Sequence, residues 1–413
     1  MPSCALYALD LKEREGFDSP RALDIACIYS YSTRMMIALR GLSGRLSTLL
    51  SLSLLSVGCA TSHAQGSSTP VKAPAPTSAS LEAQEADAVF TDHRFQDGTV
   101  LPEVRIHYAT LGTPRRDASG AVTNAVLLLH WTSASGAVLR TQPFQEALFA
   151  PGRPLDATKY LLIFPDSVGH GRSSKPSDGL RTRFPAYGYR DMVELQHRLV
   201  TQTLGIQRLH AIVGLSMGGM NAWQWSELYP DTVKGVMPIV SLPTRIAGRN
   251  LLWRRFVSGQ IRGDPEWKDG FYTAQPRGWL EAFPVFRMML DGVPHLQATL
   301  PDAQAADAFI ATARAQAASM DANDILYALE ASRDYDPEGA LGDIQARVFA
   351  LNFSDDEFNP VSLRTLETLM PRVKRGHFVV QEGHANSFGH FTQAHPALWA
   401  DQVAAFLKLL DEE

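Results

Sequence analysis

From about residue 88 onward, short apolar runs alternate with longer stretches in which apolar residues recur every three or four positions. Seven of the short runs predict strands: 104–110, 125–130, 160–165, 209–214, 233–240, 348–352 and 378–381. Several are almost continuously hydrophobic, the pattern of strands covered on both faces rather than one. Helical periodicity fits between them over 187–204 and 218–229, and again over 396–410 at the end. This alternation predicts an α/β fold with a mostly parallel central sheet.

The strand signal stops between about 243 and 342, where helical patterns are broken by Pro265, Pro276, Pro284, Pro294 and Pro301. A helical insertion is expected there, following the 233–240 run (the sixth strand of such a fold) and arranged as a lid over a site at the sheet edge. Phe283, Phe286, Met288 and Met289 recur at helical spacing within it, and packing inside the insertion is favoured over a substrate-facing role.

The N-terminal part reads as an address. Met35 and Met36 precede Arg40 and Arg45, then a short Leu/Ser-rich apolar run up to Val57, which is the build of a secretory signal. That run is too short to span a bilayer stably. Two processing sites compete. Leu55-Ser-Val-Gly-Cys59 resembles a lipoprotein box that would leave Cys59 lipidated, although its leucine sits one position too far from the cysteine. Ser62-His-Ala64 would instead release a soluble protein. The lipoprotein reading is favoured, with a periplasmic or outer-membrane location expected in either case. Residues 65–87 form a Ser/Pro/Ala/Thr-rich tether that cannot bury enough apolar surface to fold. Residues 1–34 precede the signal and are read as an upstream extension, with translation starting at Met35 or Met36. The folded domain is expected over 88–413.

Charge narrows the function. With Lys+Arg 38 against Asp+Glu 43, the chain carries a net charge of −5 and offers no basic stripe for nucleic acid. The three cysteines are Cys4, Cys27 and Cys59, so thiol and cysteine–metal chemistry are not expected in the folded body. The histidines do not sit at ligand spacing on one helix, and neither a metal nor another cofactor is expected.

Gly214-Leu-Ser216-Met-Gly218 is a G-x-S-x-G pattern. The motif is weak alone, but here a predicted strand enters it and a predicted helix leaves it. Such a strand-to-helix elbow holds a serine in a strained backbone at the carboxyl edge of the sheet, and flanking glycines avoid clashes in the tight turn. The helix N-terminus adds partial positive charge where an oxyanion would develop. Ser216 is therefore the candidate nucleophile of an α/β-hydrolase fold. A serine hydroxyl needs a base, and in this fold the acid and then the histidine follow in chain order. His390 falls in the loop between the last strand and the last helix, where the base belongs; His384 shares that loop and is its rival. The acid belongs after the seventh strand, and its position four residues before Pro360 selects Asp356, with Asp355 as the alternative or as a solvated turn residue. Two backbone donors are needed for the oxyanion: Met217 supplies one, and Thr132 is chosen for the other, with Trp131 next. His170, in a second loop at the same edge, is read as structural.

Taken together, Gly214-Leu-Ser-Met-Gly-Gly-Met220, Asp264-Pro-Glu-Trp267, Asp321-Ala-Asn-Asp-Ile-Leu-Tyr327, Ser332-Arg-Asp-Tyr335 and the blocks around Asp356 and His390 resemble the homoserine O-acetyltransferase family and its exported esterase-like relatives. The resemblance runs from about Phe95 to the C-terminus. It implies a Ser216/Asp356/His390 triad and a helical lid forming a tunnel to the serine. Two positions depart from the transferases. The aspartate that follows the histidine there and holds the substrate amine is Phe391 here. The arginine that holds the substrate carboxylate falls by register at Ser258, although Arg254, Arg255 and Arg262 lie nearby. Without both anchors, the charged pair that an amino-acid substrate demands is gone. Export points the same way, because acetyl-CoA is cytoplasmic. The expected function is hydrolysis of carboxylic esters, with amides left open. A CoA-dependent O-acyltransferase ranks second, and a non-catalytic lipid-tethered binding protein third. A homodimer is left open, and membrane contact is expected only through a lipid on Cys59.

Overall fold

The computed structural model describes residues 82–384 and 386–412. The secretory signal, both processing sites and Cys59 lie outside the described residues. Eight strands form one sheet. They are β1 Gln84–Arg94, β2 Val100–Leu111, β3 Ala125–Leu129, β4 Leu161–Pro165, β5 Leu209–Leu215, β6 Val233–Ile239, β7 Arg347–Phe353 and β8 Gly376–Gln381. Their spatial order is β1-β2-β4-β3-β5-β6-β7-β8. β2 pairs antiparallel with β1 and β4, and every other neighbouring pair is parallel.

All seven predicted strands form, with ends displaced by a few residues at most. The strand that sequence patterning misses is β1, which corrects the predicted tether: it begins at Gln84, inside the 65–87 stretch. Along this edge strand only Ala88 and Phe90 put apolar side chains into the core, and most other positions are polar and exposed. Composition alone therefore reads as solvated chain. Its stability comes from a long ladder to β2, running from Gln84 opposite Thr110 to Arg94 opposite Val100.

The two-sided burial anticipated for the central strands is realised residue by residue. In β3, Leu127 and Leu129 face one core and Val126 and Leu128 the other, the period-two alternation of a strand. Helices α1 (Tyr189–Arg198) and α2 (Met217–Leu228) cover the first face. The predicted 187–204 helix is α1 followed by a wider π turn at Leu199–Thr203. The C-terminal helix Ala400–Asp411 covers the opposite face through Val403, Phe406 and Leu410. Among the described residues no helix is long and apolar enough to cross a membrane.

Between β6 and β7 the described chain forms helices and no strands. The longer ones are α3 Gly248–Arg262, α4 Arg277–Arg287, α5 Val293–Thr299, α6 Ala303–Ala318 and α7 Ala322–Glu330. They share a core of their own that includes Trp267, Trp279, Phe283 and Leu326. Four of the five prolines fall at or between helix ends as predicted; Pro284 instead lies inside α4, which stops soon after it at Arg287.

Chain direction decides where a site can sit. After β3 the chain crosses to β4, then returns past β3 to β5, so the loops leaving β3 and β5 diverge to opposite faces. Their carboxyl ends border the crevice in which open α/β sheets bind ligands.

Candidate active site

Ser216 occupies the turn between β5 and α2 with φ 53° and ψ −110°. An L-residue with positive φ in this region costs roughly 1–3 kcal/mol, so its surroundings must hold it there. The Ser216 amide donates to the Ile239 carbonyl at 2.9 Å, and the Ser216 carbonyl accepts from the Met220 amide at 2.9 Å. Both neighbouring glycines are needed for space: a Cβ on Gly214 would meet the Gly218 carbonyl, and one on Gly218 would meet the Leu129 carbonyl of β3.

Two distant loops converge on this serine. His390 lies in a short helical turn, Gly389–Ala394, after β8, and its Nε2 is 2.9 Å from the Ser216 hydroxyl. Its Nδ1 is 2.9 Å from Oδ2 of Asp356, in the loop after β7. Assigning the Nδ1 proton to the Asp356 bond leaves Nε2 free to accept from the serine, the tautomer a general base requires. Asp356 also accepts from the Phe358 and Asn359 amides at 2.8 and 3.2 Å. Serine, histidine and aspartate are all buried. The Phe358 ring packs against the imidazole at 4.7 Å between centroids, which excludes water from one side.

The rival residues have other tasks. Asp355 is not a solvated turn residue: its Oδ2 accepts from the Ser387 hydroxyl at 2.6 Å and from the Gly389 amide at 3.0 Å, pinning the loop that carries His390. His384 organises the same loop, accepting from the Asn386 amide and donating its own amide to Ser387. His170 is buried beside His130, with ring centroids 5.3 Å apart. Burial pushes the His170 imidazole down to about 3, with the nearby His130 adding to the effect. A neutral, inaccessible ring fits the structural role assigned to it.

Met217 opens α2, so its amide is one of the first-turn N–H groups a helix leaves without an intrahelical acceptor. Trp131, Thr132 and Ser133, in the loop after β3, line the same cavity as Ser216. The backbone there is also strained, with Ser133 at φ 62°.

That cavity has a volume of about 970 Å³ and opens directly over Ser216 and His390. Its apolar wall includes Trp131, Met220, Val240, Phe283, Phe286 and Phe391. The β6–β7 insertion thus contributes part of the wall, and Phe283 and Phe286 serve both the insertion's core and the cavity. Met288 does neither; it is 47% exposed. An ion pair between Arg249 of α3 and Glu357 of the acid loop, 2.5 Å long, joins two lining residues.

The two positions that depart from the transferase pattern are now defined in space. The Phe391 ring lies under the Arg287 guanidinium at 5.2 Å, and Arg287 is paired with Asp291 at 2.5 Å. Ser258 is buried in α3. One helical turn earlier, Arg254 reaches the cavity wall and is held by neutral oxygens of Asn250, Leu329 and Ser332 at 3.0–3.3 Å. Sequence reasoning noted Arg254 only as a neighbour and missed Arg287, Phe358 and Asn359, because nothing in their spacing reveals which side of the insertion or loop they occupy.

Comparison with known proteins agrees with this fold. The family described as the alpha/beta hydrolase fold matches residues 125–392, more than half of the chain. A probable acyltransferase of Methanothermobacter thermautotrophicus is 27% identical over 73% of this chain and 93% of its own length. A homoserine O-acetyltransferase of Geotalea daltonii is 31% identical over 46% of this chain and 54% of that protein, so this match spans about half of the relative. Among solved structures, an acetylester hydrolase from Corynebacterium glutamicum superposes with a TM-score of 0.68 at 21% identity, covering 79% of this chain and 96% of that one. The chain belongs to the alpha/beta hydrolase fold family.

Proposed function

We propose that this protein is an exported serine hydrolase that cleaves carboxylic esters through an acyl-enzyme on Ser216. The observation that carries the reading is the unbroken hydrogen-bonded chain Ser216–His390–Asp356, whose serine and histidine line the cavity. The Ser216 oxygen attacks the acyl carbonyl carbon while His390 Nε2 takes the hydroxyl proton. Charge on the carbonyl oxygen is received by the amides of Met217 and Thr132. Asp356 stabilises the imidazolium, which then gives its proton to the departing alcohol oxygen. Water, deprotonated by His390, attacks the acyl-enzyme; the acid leaves and Ser216 regains its proton. An amide would follow the same path with an amine leaving.

Hydrolysis is preferred to transfer because Phe391 presents an aromatic ring where an amine-holding carboxylate would be required, and because a signal sequence would carry the protein away from acyl-CoA. The second reading, acyl transfer to an acceptor other than water, draws on Arg254 and Arg287 in the cavity wall and on the acyltransferase relatives. Turnover of a panel of p-nitrophenyl esters, set against acyl-CoA consumption with alcohol and amine acceptors, separates the two; a dominant homoserine-dependent rate overturns the preference. A non-catalytic tethered binding protein would show neither activity and no fluorophosphonate labelling of Ser216. Export with a lipid on Cys59 predicts that labelled palmitate enters the wild-type chain and not Cys59→Ala.

A further inference from the structure

Asn359 has no part in the reaction just described, yet it touches both halves of the site. Its side-chain NH2 donates to Asp356 Oδ2 at 2.8 Å and to the Val240 carbonyl at 2.9 Å. Both partners are pure acceptors, so the amide orientation is determined: the nitrogen, not the oxygen, must face them. The residue is buried.

Val240 is an unusual partner. It follows β6 with φ 46°, a left-handed conformation that a β-branched residue strongly disfavours. Its amide is tied to the Leu351 carbonyl of β7 at 2.8 Å, and the residue before it, Ile239, accepts the amide of Ser216. One side chain therefore joins the acid to the strained strand end that grips the nucleophile's backbone. It also donates to the same carboxylate oxygen that receives His390, withdrawing part of the negative charge that would otherwise act on the imidazole.

We infer that Asn359 is a positioning residue that fixes the Asp356 carboxylate relative to the Ser216 elbow and weakens its hold on the His390 proton. This rests on the serine-hydrolase reading above. The other charged or titratable groups around the catalytic loops and the cavity they line include Asp355 and Glu357 on the acid loop, Arg245, Arg249 and Arg254 at and on α3, Arg287 and Asp291 on the insertion, Glu338 ahead of β7, and His395 beyond His390. None is altered by changing Asn359.

The test compares wild type, Asn359→Ala and Asn359→Ser, with rates normalised to the fraction of enzyme labelled by a fluorophosphonate. Loss of both donors in Asn359→Ala is expected to lower kcat roughly ten- to hundredfold with little change in KM. It should also move the acidic limb of the rate profile upward by about 0.5–1 pH unit, because an undamped carboxylate holds the imidazolium more tightly. Asn359→Ser, which can keep one donor, should fall between and carries the same test should the alanine variant not fold. A labelled, folded variant whose acidic limb coincides with wild type overturns the inference and leaves the serine mechanism intact. Wild type that resists labelling at Ser216 overturns the mechanism itself.

Discussion

His390 Nε2 stands 2.9 Å from the hydroxyl of Ser216, although 174 positions of sequence separate the two residues. That distance is a ready hydrogen bond for proton transfer, and it forms only because loops after β5 and β8 meet at one edge of the sheet. Ser216→Ala should abolish fluorophosphonate labelling and lower kcat by roughly 10⁴-fold or more. Asp356→Asn should retain labelling at a reduced rate and lose roughly 10³–10⁴-fold in kcat, because the imidazole is left in the wrong tautomer. Ester turnover surviving in Ser216→Ala would place the chemistry elsewhere.

The proposed mechanism draws on the backbone N–H of Thr132, which predicts that its side chain is dispensable and its N–H is not. Thr132→Ala is expected to stay within a few-fold of wild type. Thr132→Pro, which removes the N–H, should lose about 10²–10³-fold in kcat. Circular dichroism and Ser216 labelling verify that the proline variant remains assembled. A proline variant with normal turnover moves the donor to another amide of that loop, Trp131 first.

Phe391 is expected to keep amine acceptors out. Replacing it with aspartate puts a carboxylate beside Arg287, which already pairs with Asp291, in the wall of the cavity. Phe391→Asp should lower turnover of apolar esters and raise the ratio of acyl transfer to hydrolysis when an amino alcohol is supplied. Product partitioning measured by chromatography reads this directly, and an unchanged ratio removes Phe391 as the determinant.

Buried histidines predict the response to acid. Burial lowers His130 to about 4 and His170 to about 3, against an ordinary value of 6.5. The unfolded chain takes up these protons as pH falls through 6.5, whereas the folded protein does not until far lower pH. The stabilisation is therefore complete above about pH 6.5 and is lost progressively towards pH 4, at up to about 1.4 kcal/mol per pH unit for each histidine. Asp324 opposes the trend: burial raises its carboxyl to about 7, so its charge destabilises the fold as pH rises. His170→Phe isolates the histidine contribution. The Nε2 of His170 has no hydrogen-bond partner among the described residues and its Nδ1 makes one 3.2 Å bond, to the Val168 carbonyl, so the loss at neutral pH should be limited to about that one bond, roughly 1 kcal/mol. Tm measured between pH 7 and 4.5 should decline less steeply in this variant than in wild type.

The chain's own patterning determined the parallel sheet, because strands buried on both faces must be apolar at every position and announce themselves whatever surrounds them. It likewise determined the nucleophile elbow: Gly214 and Gly218 are demanded locally, by carbonyls that leave no room for a Cβ. Edge strand β1 was legible only in the fold, since a half-exposed strand with two inward apolar side chains resembles a tether until β2 supplies its hydrogen bonds. The division of labour between neighbouring carboxylates was also a tertiary matter. Asp355 and Asp356 are chemically alike and adjacent, and only the meeting of three loops sends one to the His390 imidazole and the other to the amide of Gly389. The roles of Asn359, Arg254 and Arg287 belong with that second group. A hydrogen bond or a cavity wall depends on which side chains converge from distant segments, and periodicity along one segment carries no record of the others.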